Sequence, residues 1–443
     1  MIVILLTNAC LLTVNETNEI INPGAILIKG SKISDLGDSG KLINKYPGEK
    51  ALDCHGKLII PGFVNVHYHG ALTIVRGVGP DLGVPPLYSR NIPQGVLLSR
   101  EETYTMALLG YAEALRSGST CIAANYLYMD DQVRAIANLG LRAVVSERLH
   151  DIDFFRIGQG EYIHDEQAGE TSLERNLRLL SDWNGKEEGR ITCHLGPHAP
   201  DTCTTPFLEK IIDIASRAHV GMTTHMAQST MENREIYRRE GLSPVKFSKA
   251  IGLLKSGTVA AHCIHVDDED LTELADSGAS VAFVSEGNLK RGDIAPVSSM
   301  ENDGINVALC TDAMTGSMIE AMRFGSIVHK LSSGDNTRPT PEHLLRMATI
   351  NGAKALSLDH VVGSLEKGKK ADLLAISTDQ YHLAPVISPA GTLVHAAVGT
   401  DISDVWIDGR HLVKEGEIVG LDEKKICSEA QKIALKCWQR VHK

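Results

Sequence analysis

The chain has 443 residues, a formal net charge of -11 and 43% apolar residues, enough for two or three domains or for one large barrel with an addition. The acidic balance, without any long basic run, excludes a nucleic-acid surface, and no stretch is long and apolar enough to span a bilayer. Nine scattered cysteines with no Cys-x-x-Cys pair read as reduced thiols of a cytoplasmic protein, and eighteen histidines favour a metal or acid–base site without locating it.

In chain order, residues 1–10 are apolar but lack a basic start, which predicts a strand and no signal peptide. Residues 25–36 predict two strands about a Gly30-Ser31 turn. An apolar run at 58–66, broken by Pro61-Gly62, predicts a strand that ends in His67-Tyr68-His69. Side chains two apart on a strand share a face, so two imidazoles meet at one point, a geometry that suits Zn or Fe.

Further strands are predicted at 120–124, 142–146, 191–195, 221–224, 258–261, 280–284 and 306–310. Helical patterns lie between them. Ser99 to Glu102 is a capping box before Tyr104, Ala107, Leu108, Tyr111 and Leu115, with Gly118 as the stop. Thr171 to Glu174 opens another helix, Thr205-Pro206 gives an N-cap with proline in the first turn, and 271–275 closes at Gly278. Strands return at 371–376 and 404–407, where Asp408-Gly409 marks a hairpin into 411–413. A helix is predicted from about residue 423. Eight strands alternating with helices predict an α/β, TIM-like (β/α)8 barrel. Both termini together predict a small β-sandwich, with boundaries at 1–57, 58–360 and 361–443.

Function in such a barrel gathers at the C-terminal strand ends. There the chain places His67 and His69, His194 and His198, His225, His262, and Asp312. Singly each is an ordinary polar residue; five strand ends bearing His or Asp at one rim point to a metal site.

The segments Pro61 to His69, Thr224-His225, Ala261 to Cys263 and Thr311 to Ala313 resemble the strand-one, five, six and eight motifs of the amidohydrolase superfamily. Arg76-Gly77, Glu113, Ser117 to Thr120 and Pro197 to Pro200 are similar to its S-adenosylhomocysteine/methylthioadenosine deaminase, guanine deaminase and s-triazine hydrolase branch. The resemblance implies one divalent metal, Zn first and Fe second, on His67, His69, His225 and Asp312. No lysine stands in 191–195 to hold a second ion. It also implies Asp312 as proton acceptor and His262 as stabiliser of the oxyanion, with His198 at the substrate.

Two departures stand out. The branch has His-x-x-Glu after strand five; here it is His225-Met226-Ala227-Gln228, and a neutral amide cannot serve as a general acid. Either Asp312 returns the proton, or Glu232 or Glu286 substitutes, or the substrate needs no ring protonation, with Gln228 bonding it instead. After strand seven, Ser285 to Asn288 brings Glu286 to the rim as a substrate-binding candidate. The loop at 79–86 lacks the branch's tryptophan segment, which argues against a nucleoside-like substrate. The expectation is a hydrolase of non-peptide C–N bonds, an aminohydrolase of a small nitrogen heterocycle. Release of a substituted amine, chloride or a urea-type group is the rival, and a non-catalytic binding protein the outsider. The resemblance also implies a homo-oligomer.

Overall fold

A computed structural model describes residues 3–89, 92–93, 95–313 and 315–441. Its centre is a ring of eight parallel strands. These are β1 (Phe63–Tyr68), β2 (Ser119–Tyr126), β3 (Arg142–Leu149), β4 (Ile191–Cys193, resumed at Gly196–Pro197), β5 (Met222–Met226), β6 (Thr258–His262), β7 (Ser280–Val284) and β8 (Val307–Cys310). Continuous ladders run β1 to β4 and β5 to β8. Single bridges, Leu195 to Met222 and Tyr68 to Asp312, close the two seams. At the second seam the Asp312 N–H donates to the His67 carbonyl (3.0 Å) and the His69 N–H to the Asp312 carbonyl (3.2 Å), so barrel closure itself fixes the strand-one and strand-eight residues against each other.

Small and β-branched side chains fill the ring. Val64, Ala123, Val144, Ala261, Ala282 and Ala308 belong to one buried cluster contributed by six of the strands, the close-packed interior expected of a narrow barrel. Helices cover the outside. The helix Arg100–Arg116 starts with the predicted capping box on Ser99 and Glu102, and Gly278, in the left-handed region, ends Asp268–Ser277. The helix expected to open at Thr171 begins earlier, at Glu166, because the Asp165 carboxylate takes the N–H groups of Gln167 and Ala168.

Both chain ends build one nine-stranded sheet. Its order is Glu417–Ile418, Arg410–Lys414, Ile402–Ile407, Leu373–Ser377, Lys57–Pro61, Val3–Leu12, Ile20–Lys29 and Lys32–Asp38, with Ala51–Asp53 beside Val3–Leu12. The run at 58–66 is therefore not one strand. Lys57–Pro61 pairs antiparallel with Leu373–Ser377, and β1 starts only at Phe63. Gly62 is the joint: its N–H goes to the Asp372 carbonyl at 3.0 Å, and a Cβ there would lie 2.0 Å from Thr120 Oγ1. Ions pin sheet to barrel. Arg142 of β3 is buried against Asp372 (2.8 Å) and Asp408 (2.9 Å).

Candidate active site

The strand ends bring four side chains to one point. The Nε2 atom of His69 lies 3.4 Å and that of His67 3.9 Å from Asp312 Oδ1, and His69 Nε2 lies 3.4 Å from His225 Nε2. Local structure aims each one. His69 gives its Nδ1 hydrogen to the Asn125 carbonyl, and His225 gives its Nδ1 hydrogen to the His198 carbonyl at 2.7 Å. A neutral imidazole carries one hydrogen, so both Nε2 atoms present bare lone pairs to each other. That contact is repulsive unless a cation lies between them.

His67 strengthens the point. It is buried, and neither of its ring nitrogens has a hydrogen-bond partner among the described residues, a costly state for a polar group unless a ligand satisfies it. Burial, joined by the neighbouring imidazoles, holds His67 well below its ordinary pKa. Burial takes His69 down to about 4 and His225 down to about 3. These are the neutral forms a metal requires. Three imidazoles and one carboxylate fit a single divalent ion, and residues 191–195 of strand four include no lysine to bridge a second. Asp312 itself sits in the left-handed region (φ 56°), a conformation unusual for a non-glycine residue. The seam hydrogen bonds hold it there. The Asn65 amide, which gives to Thr311 Oγ1 (2.7 Å) and takes from the Thr311 N–H (3.2 Å), braces the same turn.

A cavity opens above this cluster, lined by His69, Leu72, Pro85, Pro86, Leu87, Tyr126, Arg148, His198, His225, Gln228, His262, Arg291 and Asp312. His262, last residue of β6, gives its Nδ1 hydrogen to Asn288 Oδ1 (3.0 Å), which also takes one from Arg291 (3.0 Å). Its Nε2 is therefore an acceptor facing the cluster, and burial keeps the ring neutral. His198 is arranged alike. The Thr202 hydroxyl gives its hydrogen to the Ala199 carbonyl (3.1 Å), so it accepts from His198 Nδ1 (2.9 Å). The Nε2 of Gln228 is buried without a hydrogen-bond partner among the described residues.

Of the residues expected from sequence, His67, His69, His225, His262, His198, Gln228 and Asp312 converge. Glu286 does not. It lies in the short helix Ser285–Lys290 with one oxygen 2.5 Å from Lys290, and it is absent from the cavity wall. Glu232, the other substitute acid, is wholly buried behind the turn at 227–228, where its two oxygens take backbone N–H groups. Asp312 is thus the one carboxylate among the lining residues. His194 and His265 also stay out of the lining.

Two cations of the wall, Arg148 and Arg291, go beyond the sequence expectation. Arg148, at the end of β3, has its guanidinium 4.1 Å from the Phe154 ring centre and 5.0 Å from that of Tyr126. It is 4% exposed, and its Nε and Nη2 have no partner among the described residues. Neighbouring Glu147 does not pair with it; that carboxylate caps the helix Met129–Leu139 through the Tyr128 and Met129 N–H groups. Arg291 is the second cation of the wall. An arginine ending a barrel strand is the available signal for Arg148, one that a search for His and Asp passes over.

Residues 58–412 match the Amidohydrolase family. The 5-methylthioadenosine/S-adenosylhomocysteine deaminase of Moorella thermoacetica is 33% identical over 93% of this chain and 95% of its own. The 5'-deoxyadenosine deaminase of Methanosarcina mazei is 32% identical over 99% of both chains. Among solved structures, an adenosine deaminase from Xanthomonas campestris with bound zinc superposes with a TM-score of 0.88 at 22% identity, covering 98% of each chain.

Proposed function

The chain belongs to the amidohydrolase family, and from that premise we propose a zinc aminohydrolase of a small, acceptor-rich nitrogen heterocycle in which Asp312 carries the proton both ways. More coarsely, it is a metal-dependent hydrolase of non-peptide carbon–nitrogen bonds with a small-molecule substrate. The observation that carries the reading is the pair of bare Nε2 atoms of His69 and His225, 3.4 Å apart, beside His67 and Asp312.

A divalent ion held by His67, His69, His225 and Asp312 would supply a water that is nucleophilic at neutral pH. Asp312 takes a proton as that water attacks the sp² carbon bearing the amino group, and returns it to the departing nitrogen. Among the described residues no second carboxylate lines the cavity to share this work. His262 enters as an acceptor and orients the attacking water through Nε2. Its ring stays neutral, and the Asn288 bond to Nδ1 keeps Nε2 turned toward the reacting water. Gln228 gives its Nε2 hydrogen to the substrate's ring nitrogen or oxo group, which a general acid would otherwise protonate.

Arg148 supports the substrate class. A buried guanidinium without a counter-charge is costly, and here its free donors line the reaction cavity. We read it as the partner of an anionic or strongly polarised oxygen on the substrate, bound through charge-assisted hydrogen bonds. Pro85, Pro86 and Leu87 at the mouth offer an apolar rim rather than an aromatic platform. Both features favour an oxo- or carboxylate-substituted ring over an unadorned adenine nucleoside, although the relatives named above are nucleoside deaminases.

Zinc-loaded protein is tested for ammonia release on matched pairs, such as cytosine with 5-carboxycytosine and aminopyrazine with aminopyrazine carboxylate. Turnover of the anionic members, abolished in His225→Ala, is the expected result. Full activity after complete metal removal refutes the reading. The rival leaving groups stay in view because Gln228 stands where an acid is expected; a Gln228→Glu variant that gains ring deamination absent from the parent would favour them. We place the protein in the cytoplasm as a homo-oligomer, a reading consistent with its unpaired thiols and with the absence, among the described residues, of any helix long and apolar enough to cross a membrane.

A further inference from the structure

We propose that Glu232 is a positioning residue of this site: its carboxylate fixes the turn that aims Gln228 into the cavity and ties that turn to the one bearing His262. The inference rests on the reading of Gln228 as a substrate contact.

Glu232 lies in the first turn of the helix Thr230–Glu240, whose N-cap is Ser229. In an ordinary capping box the glutamate returns to the N-cap's own N–H. Glu232 reaches past it. Its Oε1 takes the Ala227 N–H (2.7 Å) and its Oε2 the Gln228 N–H (2.9 Å), while Ser229 Oγ takes the Glu232 N–H (3.1 Å). Ala227 is in the left-handed region at φ 47°, so the chain reverses sharply just after the ligand His225. Two hydrogen bonds to one buried carboxylate are what hold that unfavourable conformation.

The turn is also the anchor of its neighbour. The Ala227 carbonyl takes the N–H groups of Ile264 (3.1 Å) and His265 (3.0 Å), and the Met226 carbonyl takes that of Cys263 (2.9 Å). His262 and Cys263 are themselves left-handed, at φ 77° and 48°. One carboxylate therefore stabilises two adjacent reversed turns that carry Gln228 and His262. Asp201 is another wholly buried carboxylate, and its Oδ2 takes the hydroxyls of Tyr88 (2.9 Å) and Tyr162 (3.1 Å). Tyr88 directly follows the cavity-lining residues Pro85 to Leu87.

The test uses the zinc-loaded full chain with Glu232→Gln, which keeps the shape but offers one acceptor oxygen where two N–H groups need one each. Hydrogen exchange of peptides spanning 226–229 should quicken at least tenfold while bound zinc stays at one per chain. On a substrate turned over by the parent, kcat should fall at least tenfold. The double variant with Gln228→Ala should lose clearly less than the product of the two single losses, because part of the Glu232 effect runs through Gln228. Unchanged exchange, or effects that multiply in the double variant, would overturn the inference. If Glu232→Gln fails to bind zinc, Glu232→Asp, one methylene too short to reach both N–H groups, gives the same readouts. A parent inactive on every heterocycle sinks the aminohydrolase reading, and the exchange arm still decides whether Glu232 holds the turn.

Discussion

Replacing Asp312 by asparagine isolates the proton-transfer role from the shape of the site. Asparagine keeps the oxygen that stands 3.4 Å from His69 Nε2 and the left-handed turn that carries it, but it cannot accept and release a proton at neutral pH. Each positioned proton transfer contributes about 10²–10⁴ to rate. On the proposed mechanism Asp312 serves two of them, and among the described residues no other carboxylate lines the cavity to take over either. The expected loss in kcat is about 10⁴ or more, roughly 5 kcal/mol of barrier at 1.36 kcal/mol per factor of ten. Ammonia release is followed at saturating substrate with zinc in excess, and metal content is measured on the same samples, because a neutral amide is the weaker ligand. Glu286→Gln, whose parent carboxylate faces Lys290, is the control and should leave kcat within twofold. If Asp312→Asn, with one zinc per chain, loses less than tenfold, Asp312 is not the carrier and the two-way proton path through its carboxylate is wrong.

Chelation should abolish activity and lower the melting temperature, since an ion that binds only the folded chain stabilises it by about 4 kcal/mol at a thousandfold excess over its dissociation constant; re-added zinc should restore both, and a melting curve indifferent to chelator would count against a resident metal. Arg142→Met should destabilise by about 3–5 kcal/mol in urea denaturation, because it strands the buried carboxylate Asp372 and takes one of three cations from Asp408; a loss below about 1 kcal/mol would refute the claim that this pair pins sheet to barrel. Burial alone would raise Asp404, but hydrogen bonds from His411, Lys57 and Ser403 hold it below the usual carboxylate range. A depressed carboxylate gives stability that is present above its unfolded pKa of about 3.9 and lost as pH falls through the folded value. The stability gap between the parent and Asp404→Asn should therefore be widest near neutrality and shrink below about pH 4; a gap that grows on acidification would reverse the sign.

Particular residues show how far local pattern can be read. His67 and His69 are legible because strand alternation alone puts them on one face, and Ser99, Gly278 and Asp408-Gly409 are legible because caps and tight turns are written in neighbouring residues. The break at Gly62 is not. Lys57–Pro61 and Phe63–Tyr68 are both almost wholly buried, so apolar periodicity runs through the joint unchanged. Only the pairing of Lys57–Pro61 with Leu373–Ser377, more than three hundred residues away, assigns it to the terminal sheet.

The acidic candidates divide in the same way. Counting residues from His225 brings Glu232 within reach of the site, and a rim position does the same for Glu286, yet spacing does not say which way a carboxylate turns. Glu232 turns to two backbone N–H groups and Glu286 to Lys290. Arg148 and Glu147 are adjacent on one strand, and alternation sends one to the cavity and the other to a helix N-terminus. By itself the sequence determined the alternating strand-and-helix pattern of the barrel and the pairing of His67 with His69, since these rest on short-range periodicity and residue type, while the four-residue ligand set came as an expectation from the resemblance of its motifs. Tertiary structure alone decided which carboxylate and which guanidinium groups line the cavity, because burial and orientation arise from contacts between segments far apart in the chain.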